Sequence, residues 1–178
     1  MATRPLVRIA GTCALALALA SCGFQLRGSQ GSAELPFSSI YVGFPETSPL
    51  GAELKRNLRG GKAVVVDEAT QADAVLDVLS ESRNKQILSL NSAGRVREYL
   101  LLYTLVFRVR DNKGGEIMPA TEITLRRNIS FNESETLAKE SEEALLYRDM
   151  QGDLVQQILR RLAAIKRAPV PLAVPPRA

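Results

Sequence analysis

Two kinds of hydrophobic periodicity alternate along the chain and predict seven elements of secondary structure. Leu50, Leu54 and Leu58 recur at every fourth residue, which places them on one face of an amphipathic helix. From Ala72 onward, the side chains instead divide between two faces at every second residue, as they do in strands, and within 122–131 apolar and polar positions alternate. The predicted order is β-α-β-β-β-β-α, with helices at 49–59 and 137–165 and strands at 39–44, 63–67, 98–110 and 122–131. A further strand begins at Ala72, and its apolar part ends at Leu79 before a polar continuation toward residues 85–90.

This order predicts an α+β fold, in which two helices pack on one face of a mixed, mainly antiparallel sheet to form a two-layer sandwich. The segment 98–110 is the longest strand candidate, and it is apolar on both faces. Because such a strand is normally covered on both sides, one face should meet the two helices. The second face is either buried within the chain as well or covered by a partner.

Two residues depart from the periodicity of their elements. Arg127 interrupts the apolar face of the last strand, and we expect it to lie at a margin of the sheet. Gly152 falls in the middle of the second helix, where glycine costs about 1 kcal/mol relative to alanine, and this predicts close packing there.

The N-terminal residues predict export and attachment to a membrane. Arg4 and Arg8 precede an apolar run from Ile9 to Ala20, which has the charge and length of a secretory signal peptide and is too short for a transmembrane helix. The sequence Leu19-Ala20-Ser21-Cys22 resembles the bacterial lipobox, in which the cysteine is lipidated and the signal is cut before it. Gly23, rather than aspartate, then favours the outer membrane by resemblance to bacterial sorting rules. The alternative is an ordinary cut nearby, which would release a soluble exported protein.

These observations divide the chain into four parts. We expect a lipoprotein signal peptide at 1–21, a lipidated terminus and tether at 22–37, an α+β domain at 38–166 and a proline-rich disordered tail at 167–178. Loss of Arg4 and Arg8 with the signal leaves 21 basic and 19 acidic residues. That balance of +2 is not the clustered basic surface of a nucleic-acid-binding protein.

The composition also limits the chemistry that the chain can perform. It has no histidine, so a Ser-His-Asp triad and histidine metal ligands are excluded. The cysteine that remains after processing, Cys22, is acylated if the lipobox is genuine, so thiolate catalysis is excluded too. We therefore expect a binding protein without cofactor or metal. An enzyme that acts on envelope glycans through a pair of carboxylates is the remaining catalytic alternative.

The residues after the lipobox resemble a known family. The sequence Cys-Gly-Phe-Gln-Leu-Arg-Gly at 22–28, the sequence Arg97-Glu98-Tyr99 and the sequence Leu137-Ala138-Lys139 are similar to those of the LPS-assembly lipoprotein LptE family. The resemblance implies an outer-membrane lipoprotein that acts as a plug and assembly partner of the lipopolysaccharide translocon, a large LptD-type β-barrel. It also implies contact with lipopolysaccharide during export. A different outer-membrane lipoprotein, serving another barrel or a lipid transporter, is the alternative.

The resemblance points to cations at the ends of long hairpins. Arg95, Arg97 and Lys139 are the candidate lipopolysaccharide-binding residues, since lysine and arginine bind phosphate. Arg83 and Lys85 are expected to add charge at the strand tips. The family has a basic residue just before the turn glycine, where this chain has Ser92 and Ala93. Either Arg95 supplies that charge instead, or this chain binds lipid less strongly at that point. Alternatively, these cations are ordinary solvated residues.

Overall fold

The computed structural model of the chain describes residues 35–165. The predicted signal peptide, the predicted lipidation site at Cys22 and the predicted tail lie outside the described residues. The element order agrees with the prediction, and two short 3-10 turns are added at Ala69–Gln71 and Glu133–Glu135. The strands and helices are β1 (Ser39–Gly43), α1 (Pro49–Arg59), β2 (Val64–Val66), β3 (Ala74–Leu90), β4 (Val96–Arg110), β5 (Glu116–Ser130) and α2 (Thr136–Ala163).

The five strands form one open, mixed sheet in the order β2-β1-β3-β4-β5. Strand β1 runs parallel to both β2 and β3, whereas the pairs β3–β4 and β4–β5 are antiparallel. The predicted α+β class is therefore confirmed. The prediction that β4 is the longest strand is wrong, because β3 has 17 residues and β4 has 15. From Ser80 to Gln86, β3 is polar, and its pairing with β4 rather than an apolar pattern maintains the strand there.

Helix α1 forms where the leucine spacing predicts it. The Ser48 hydroxyl accepts a hydrogen bond from the Gly51 amide at 3.1 Å, and Pro49 occupies the first turn, where its missing N–H costs nothing. Leu50, Leu54 and Leu58 are buried against the sheet. The helix ends at Gly60, which adopts a right-handed conformation with φ −73° instead of the left-handed one that glycine often takes at a helix end.

The hydrophobic core lies between the two helices and one face of the sheet. On this face, alternate residues of β4 from Leu101 to Val109 are fully buried. Helix α2 contributes mainly through its second half, while its first half stays largely exposed. The buried residues of α2 are Met150, Gln151, Leu154, Val155, Ile158 and Leu162.

The opposite face of the sheet has no helix on it within residues 35–165. Leu100, Leu102 and Val106 of β4 point to this side and are half-buried. Within residues 35–165 the helices therefore cover one face of β4, and cover of the second face by a partner stays a prediction. The remaining apolar side chains form a strip on an otherwise polar surface, which we call the open face.

Of the two exceptions to the periodicity, the structure explains Arg127 but not Gly152. Arg127 lies on the helix side of β5, and its Nη2 atom is 2.6 Å from Oδ2 of Asp153 on α2. The arginine thus meets an oppositely charged residue on the helix. The prediction of close packing at Gly152 is not supported, because a Cβ atom there would lie 3.7 Å from Glu53 Oε1, at ordinary contact distance.

Candidate functional site

The candidate cations are presented by the turn between β3 and β4, which is built by Asn91 and Gly94. The Asn91 Oδ1 atom accepts hydrogen bonds from the amides of Ala93 and Arg95, both at 3.0 Å. Gly94 has φ +74°, a left-handed conformation that glycine adopts without steric cost. This tight turn positions Arg95 at the far end of the hairpin.

Two compensating bulges lie directly beside this turn. Ile87 pairs with Tyr99, Ser89 with Glu98 and Leu90 with Val96. Leu88 on β3 and Arg97 on β4 therefore have no paired residue on the neighbouring strand. Because a bulge changes the direction of nearby side chains, strict alternation between the two faces is lost here. Leu88 and Arg97 are both exposed.

The segment 130–133, which links β5 to α2, brings the three candidate cations to one end of the domain. The Arg97 carbonyl accepts a hydrogen bond from the Phe131 amide at 2.8 Å. The Arg95 guanidinium lies 3.4 Å from the Glu133 carboxylate. The Lys139 ammonium donates to the Ser130 hydroxyl at 3.0 Å. Residues that are distant in sequence are thereby assembled around one short segment.

The three cations differ in how strongly neighbouring groups hold them. The pair Arg95–Glu133 is long and largely exposed on both sides, so it contributes little free energy and can exchange partners. The Lys139 side chain is only 16% exposed and also contacts Glu142 at 2.8 Å. Among residues 35–165, no hydrogen bond or ion pair involves the Arg97 side chain. Arg95 and Arg97 are therefore the more accessible cations for an anionic ligand.

Arg83 and Lys85 do not lie at a strand tip, contrary to the prediction. Lys85 lies on the helix side of β3, where its Nζ atom is 2.6 Å from Glu143 Oε2 and 4.3 Å from the centre of the Tyr99 ring. Arg83 donates to the Tyr103 hydroxyl at 3.0 Å. Both side chains connect the sheet to other elements, because their length lets them reach across the groove toward α2.

The Tyr103 hydroxyl lies at the centre of the polar contacts around Arg83. It donates to Glu81 Oε1 at 2.6 Å while it accepts from Arg83. Burial and the hydrogen bond to Glu81 raise the pKa of Tyr103 to about 12, although Arg83 opposes the shift. Tyr103 is therefore neutral at physiological pH and acts as a hydrogen-bonding link.

A small cleft lies between the hairpin end and the start of α2. Its volume is about 200 Å³, and Tyr99 and Phe131 meet edge to face within it, with ring centres 5.3 Å apart. Its walls combine apolar and charged groups. The lining residues are Lys85, Tyr99, Ile129, Phe131, Thr136, Lys139, Glu140 and Glu143.

The opposite end of β4 carries a separate charged cluster around Asp77. The Asp77 carboxylate accepts from Arg110 Nε at 2.8 Å and from Arg108 Nε at 3.1 Å. Partial burial alone would raise the pKa of Asp77, but the two arginines outweigh it and hold the pKa below its usual value. Although Asp77 and Glu116 line one cleft of about 660 Å³, Asp77 stays ionised and cannot act as a general acid near neutral pH.

Two further observations concern the described residues alone. No cluster of acidic or cysteine side chains that could hold a metal ion occurs within residues 35–165. In the same range, neither helix is long and apolar enough to cross a lipid bilayer.

An open α+β sheet with helices on one side and cations gathered at one hairpin end defines a small binding domain. The sequence matches the LptE family, described as lipopolysaccharide-assembly, over residues 37–162. The chain therefore belongs to the LptE family, and the predicted resemblance is confirmed. This is a family of outer-membrane lipoproteins that act in lipopolysaccharide assembly without catalysing a reaction, so the expectation of a non-enzymatic protein is confirmed as well.

Individual relatives agree with this assignment. The LPS-assembly lipoprotein LptE of Pectobacterium atrosepticum is 33% identical over 151 residues, covering 84% of this chain and 80% of that protein. The solution structure of an uncharacterized lipoprotein B from Nitrosomonas europaea matches with a TM-score of 0.68 and 40% identity, covering 80% of this chain and 91% of that one. A crystal structure of the rare lipoprotein B from Shewanella oneidensis matches with a TM-score of 0.63 and 28% identity, covering 71% and 94%.

Sequence reasoning missed one group of residues at the same end of the domain. Ile87, Leu88 and Leu90 are exposed, although a strand prediction assigns them simply to the end of β3. The signal was available in the sequence, because two adjacent apolar residues followed by a third cannot all face one core under strict alternation.

Proposed function

We propose that this chain is the plug and assembly partner of the lipopolysaccharide translocon β-barrel and assists lipopolysaccharide insertion at the outer membrane. The observation that carries the proposal is the family match, which spans nearly all of the described α+β domain. A role in lipopolysaccharide assembly follows from membership, and the LptD-type barrel is the partner that the sequence resemblance implies.

The open face supports a protein partner of this kind. Leu102 is half-buried at its centre, between Asn84 of β3 and Arg126 of β5. An apolar strip surrounded by amide, hydroxyl and charged groups can contact a lumen that is itself largely polar. We assign the open face to the wall or loops of the barrel.

Attachment through Cys22 supports the location. Acyl chains on this cysteine each contribute about 0.8 kcal/mol per buried CH₂ group, and several chains together give durable anchoring. The sequence between Cys22 and the first described residues can extend at most about 3.3–3.6 Å per residue, which keeps the domain within roughly 50 Å of the membrane. A plug must enter its barrel from that region.

The second ligand in the proposal is lipopolysaccharide itself. Its phosphates would bind Arg95 and Arg97, with Lys139 as a further contact. Arginine binds phosphate through two parallel hydrogen bonds, and the exposed pair Arg95–Glu133 can open for it. The carboxylates at this end, such as Glu133 and Glu142, limit affinity and favour a ligand that binds by more than charge.

The test is recovery of partners from solubilised outer membranes. The full-length acylated chain, carrying a C-terminal tag, should co-purify with a large lipopolysaccharide-translocon barrel. Metabolic labelling with a clickable fatty acid should mark the chain and fail with Cys22→Ala. Recovery of a different barrel or of a lipid transporter would instead establish the alternative function, and an unlabelled wild type would refute the anchor.

A further inference from the structure

The end of β3 exposes three aliphatic side chains in a span of four residues. Ile87 is 60% exposed, Leu88 46% and Leu90 55%. Near the other end of the same strand, Ala74, Val75 and Leu76 are completely buried. We refer to Ile87, Leu88 and Leu90 as the apolar ridge.

The bulges explain how the apolar ridge becomes exposed. Leu88 has no partner on β4, and the register returns to its earlier value only at Leu90. The strand therefore does not sort these side chains into one buried and one solvated face. The hairpin also extends beyond the buried half of α2, so no core residue of the helix reaches the ridge.

The apolar ridge lies beside the accessible cations. Leu90 pairs with Val96, which stands between Arg95 and Arg97 in sequence. The Asn91 amide, next to Leu90, donates to the Arg95 carbonyl at 2.8 Å. One hairpin end thus presents aliphatic side chains and guanidinium groups within two or three residues of each other.

We propose that the apolar ridge contacts the acyl chains of a phosphorylated glycolipid whose phosphates bind Arg95 and Arg97. This inference rests on the proposed function and extends it from charge recognition to recognition of the acyl chains. A molecule that is both anionic and acylated satisfies the two chemistries at once. Aliphatic contact also supplies affinity that the cations, surrounded by carboxylates, cannot supply alone.

The composition of this hairpin end favours a lipid over a protein partner. The centres of protein interfaces are enriched in aromatic residues, whereas the apolar ridge is entirely aliphatic. Arg95 and Arg97 at its border supply the positive charge that an anionic headgroup needs.

The experiment compares two probes that share phosphates and differ in acyl chains. Purified protein with the signal and anchor removed is titrated with lipopolysaccharide and, separately, with completely deacylated lipopolysaccharide oligosaccharide. Three variants are compared with the wild type. They are Ile87→Ser/Leu88→Ser/Leu90→Ser, the cation variant Arg95→Gln/Arg97→Gln, and the matched control Val64→Ser/Leu79→Ser/Leu145→Ser, whose residues are 62%, 50% and 55% exposed.

The ridge variant should bind intact lipopolysaccharide at least about tenfold more weakly and bind the deacylated probe with wild-type affinity. The cation variant should lose affinity for both probes, and the matched control for neither. Thermal unfolding of the ridge variant should match that of the control, since all six residues are exposed.

Three other outcomes would contradict either this inference or the proposed function. A ridge variant that binds intact lipopolysaccharide like the wild type overturns the inference. If the same variant instead loses the barrel in co-purification, the ridge is a protein contact, which also overturns it. A wild type that binds neither probe refutes the lipid part of the proposed function itself.

Discussion

The Nε2 atom of Gln151 donates a hydrogen bond to Oε2 of Glu53 at 2.6 Å, and this bond joins α2 to α1. Gln151 is the buried polar residue of the core within residues 35–165, with 9% of its surface exposed. Its Oε1 atom accepts from Arg83 Nη2 at 3.4 Å. A single amide thus connects both helices to the third strand.

Truncation of this amide should destabilise the domain. We expect Gln151→Ala to lower the free energy of unfolding by about 1–2 kcal/mol, because the bonds to Glu53 and Arg83 are lost in a partly buried site. The measurement is urea unfolding followed by circular dichroism. Gln156→Ala, at an exposed position of the same helix, should leave the stability nearly unchanged. Equal effects of the two substitutions would contradict the assigned role.

Two helical glycines should respond in opposite directions to alanine. A Cβ atom at Gly51 would overlap Phe44 Cβ, so Gly51→Ala should destabilise the fold by about 1–3 kcal/mol through displacement of a buried ring. At Gly152 the space is open, and Gly152→Ala should stabilise by up to about 1 kcal/mol through helix propensity. Thermal denaturation of both variants tests this, and destabilisation by Gly152→Ala would show that close packing exists after all.

A charge at the centre of the open face should weaken the barrel contact. We expect Leu102→Asp to reduce recovery of the barrel by about tenfold or more, because a carboxylate would be desolvated against the partner. The matched control is Leu145→Asp, on the exposed side of α2. Undiminished recovery with a folded Leu102→Asp protein would remove the open face from the interface.

Neutralising the candidate cations should reduce lipopolysaccharide binding in a salt-sensitive manner. The variant Arg95→Gln/Arg97→Gln/Lys139→Gln should bind about tenfold more weakly at low ionic strength, with a smaller difference at high salt, since salt screens exposed charges. The control neutralises three cations of α1, namely Lys55, Arg56 and Arg59. Wild-type affinity of the first variant at every ionic strength would refute the site.

Asp77 should contribute to acid sensitivity. The pKa of Asp77 in the folded protein lies below its value of about 3.9 in the unfolded chain, so ionisation of this carboxyl group stabilises the folded state. The stabilisation is therefore complete above about pH 4–5 and is lost as the pH falls through the folded pKa. Asp77→Asn should lower stability at neutral pH and flatten the decline on acidification. A decline for Asp77→Asn that runs parallel to that of the wild type would argue against the assignment.

The local sequence pattern predicted the positions of the helices and strands better than it predicted which of their residues contact each other. The bounds and the buried face of helix α1 could be predicted, because Leu50, Leu54, Leu58 and the Ser48 cap all lie within one short segment. The partner of Arg127 could not, since Asp153 lies 26 residues away and meets it only after α2 packs. The alternation of β4 predicted two apolar faces, but nothing local to the strand indicates which of them the helices cover.

At the candidate site, too, the sequence indicated the residues but not their contacts. Arg95, Arg97 and Lys139 were identified by resemblance, and the structure adds that segment 130–133 gathers them. The partners of Arg83 and Lys85 on α2 were not visible in the sequence, because long side chains at strand positions can point either to solvent or across a groove. The paired bulges at Leu88 and Arg97 depend on strand register, which no single segment specifies.

Helix α2 is buried unevenly, so its two halves contribute differently to the stability of the domain. Met150 to Leu162 anchor the second half of the helix in the core, whereas the first half is held mainly by edge contacts such as Lys85–Glu143. Regions with few buried apolar contacts open locally at a lower free energy than the rest of a domain. The first turns of α2 should therefore open locally at a lower free energy than β1, α1 and the anchored half of α2.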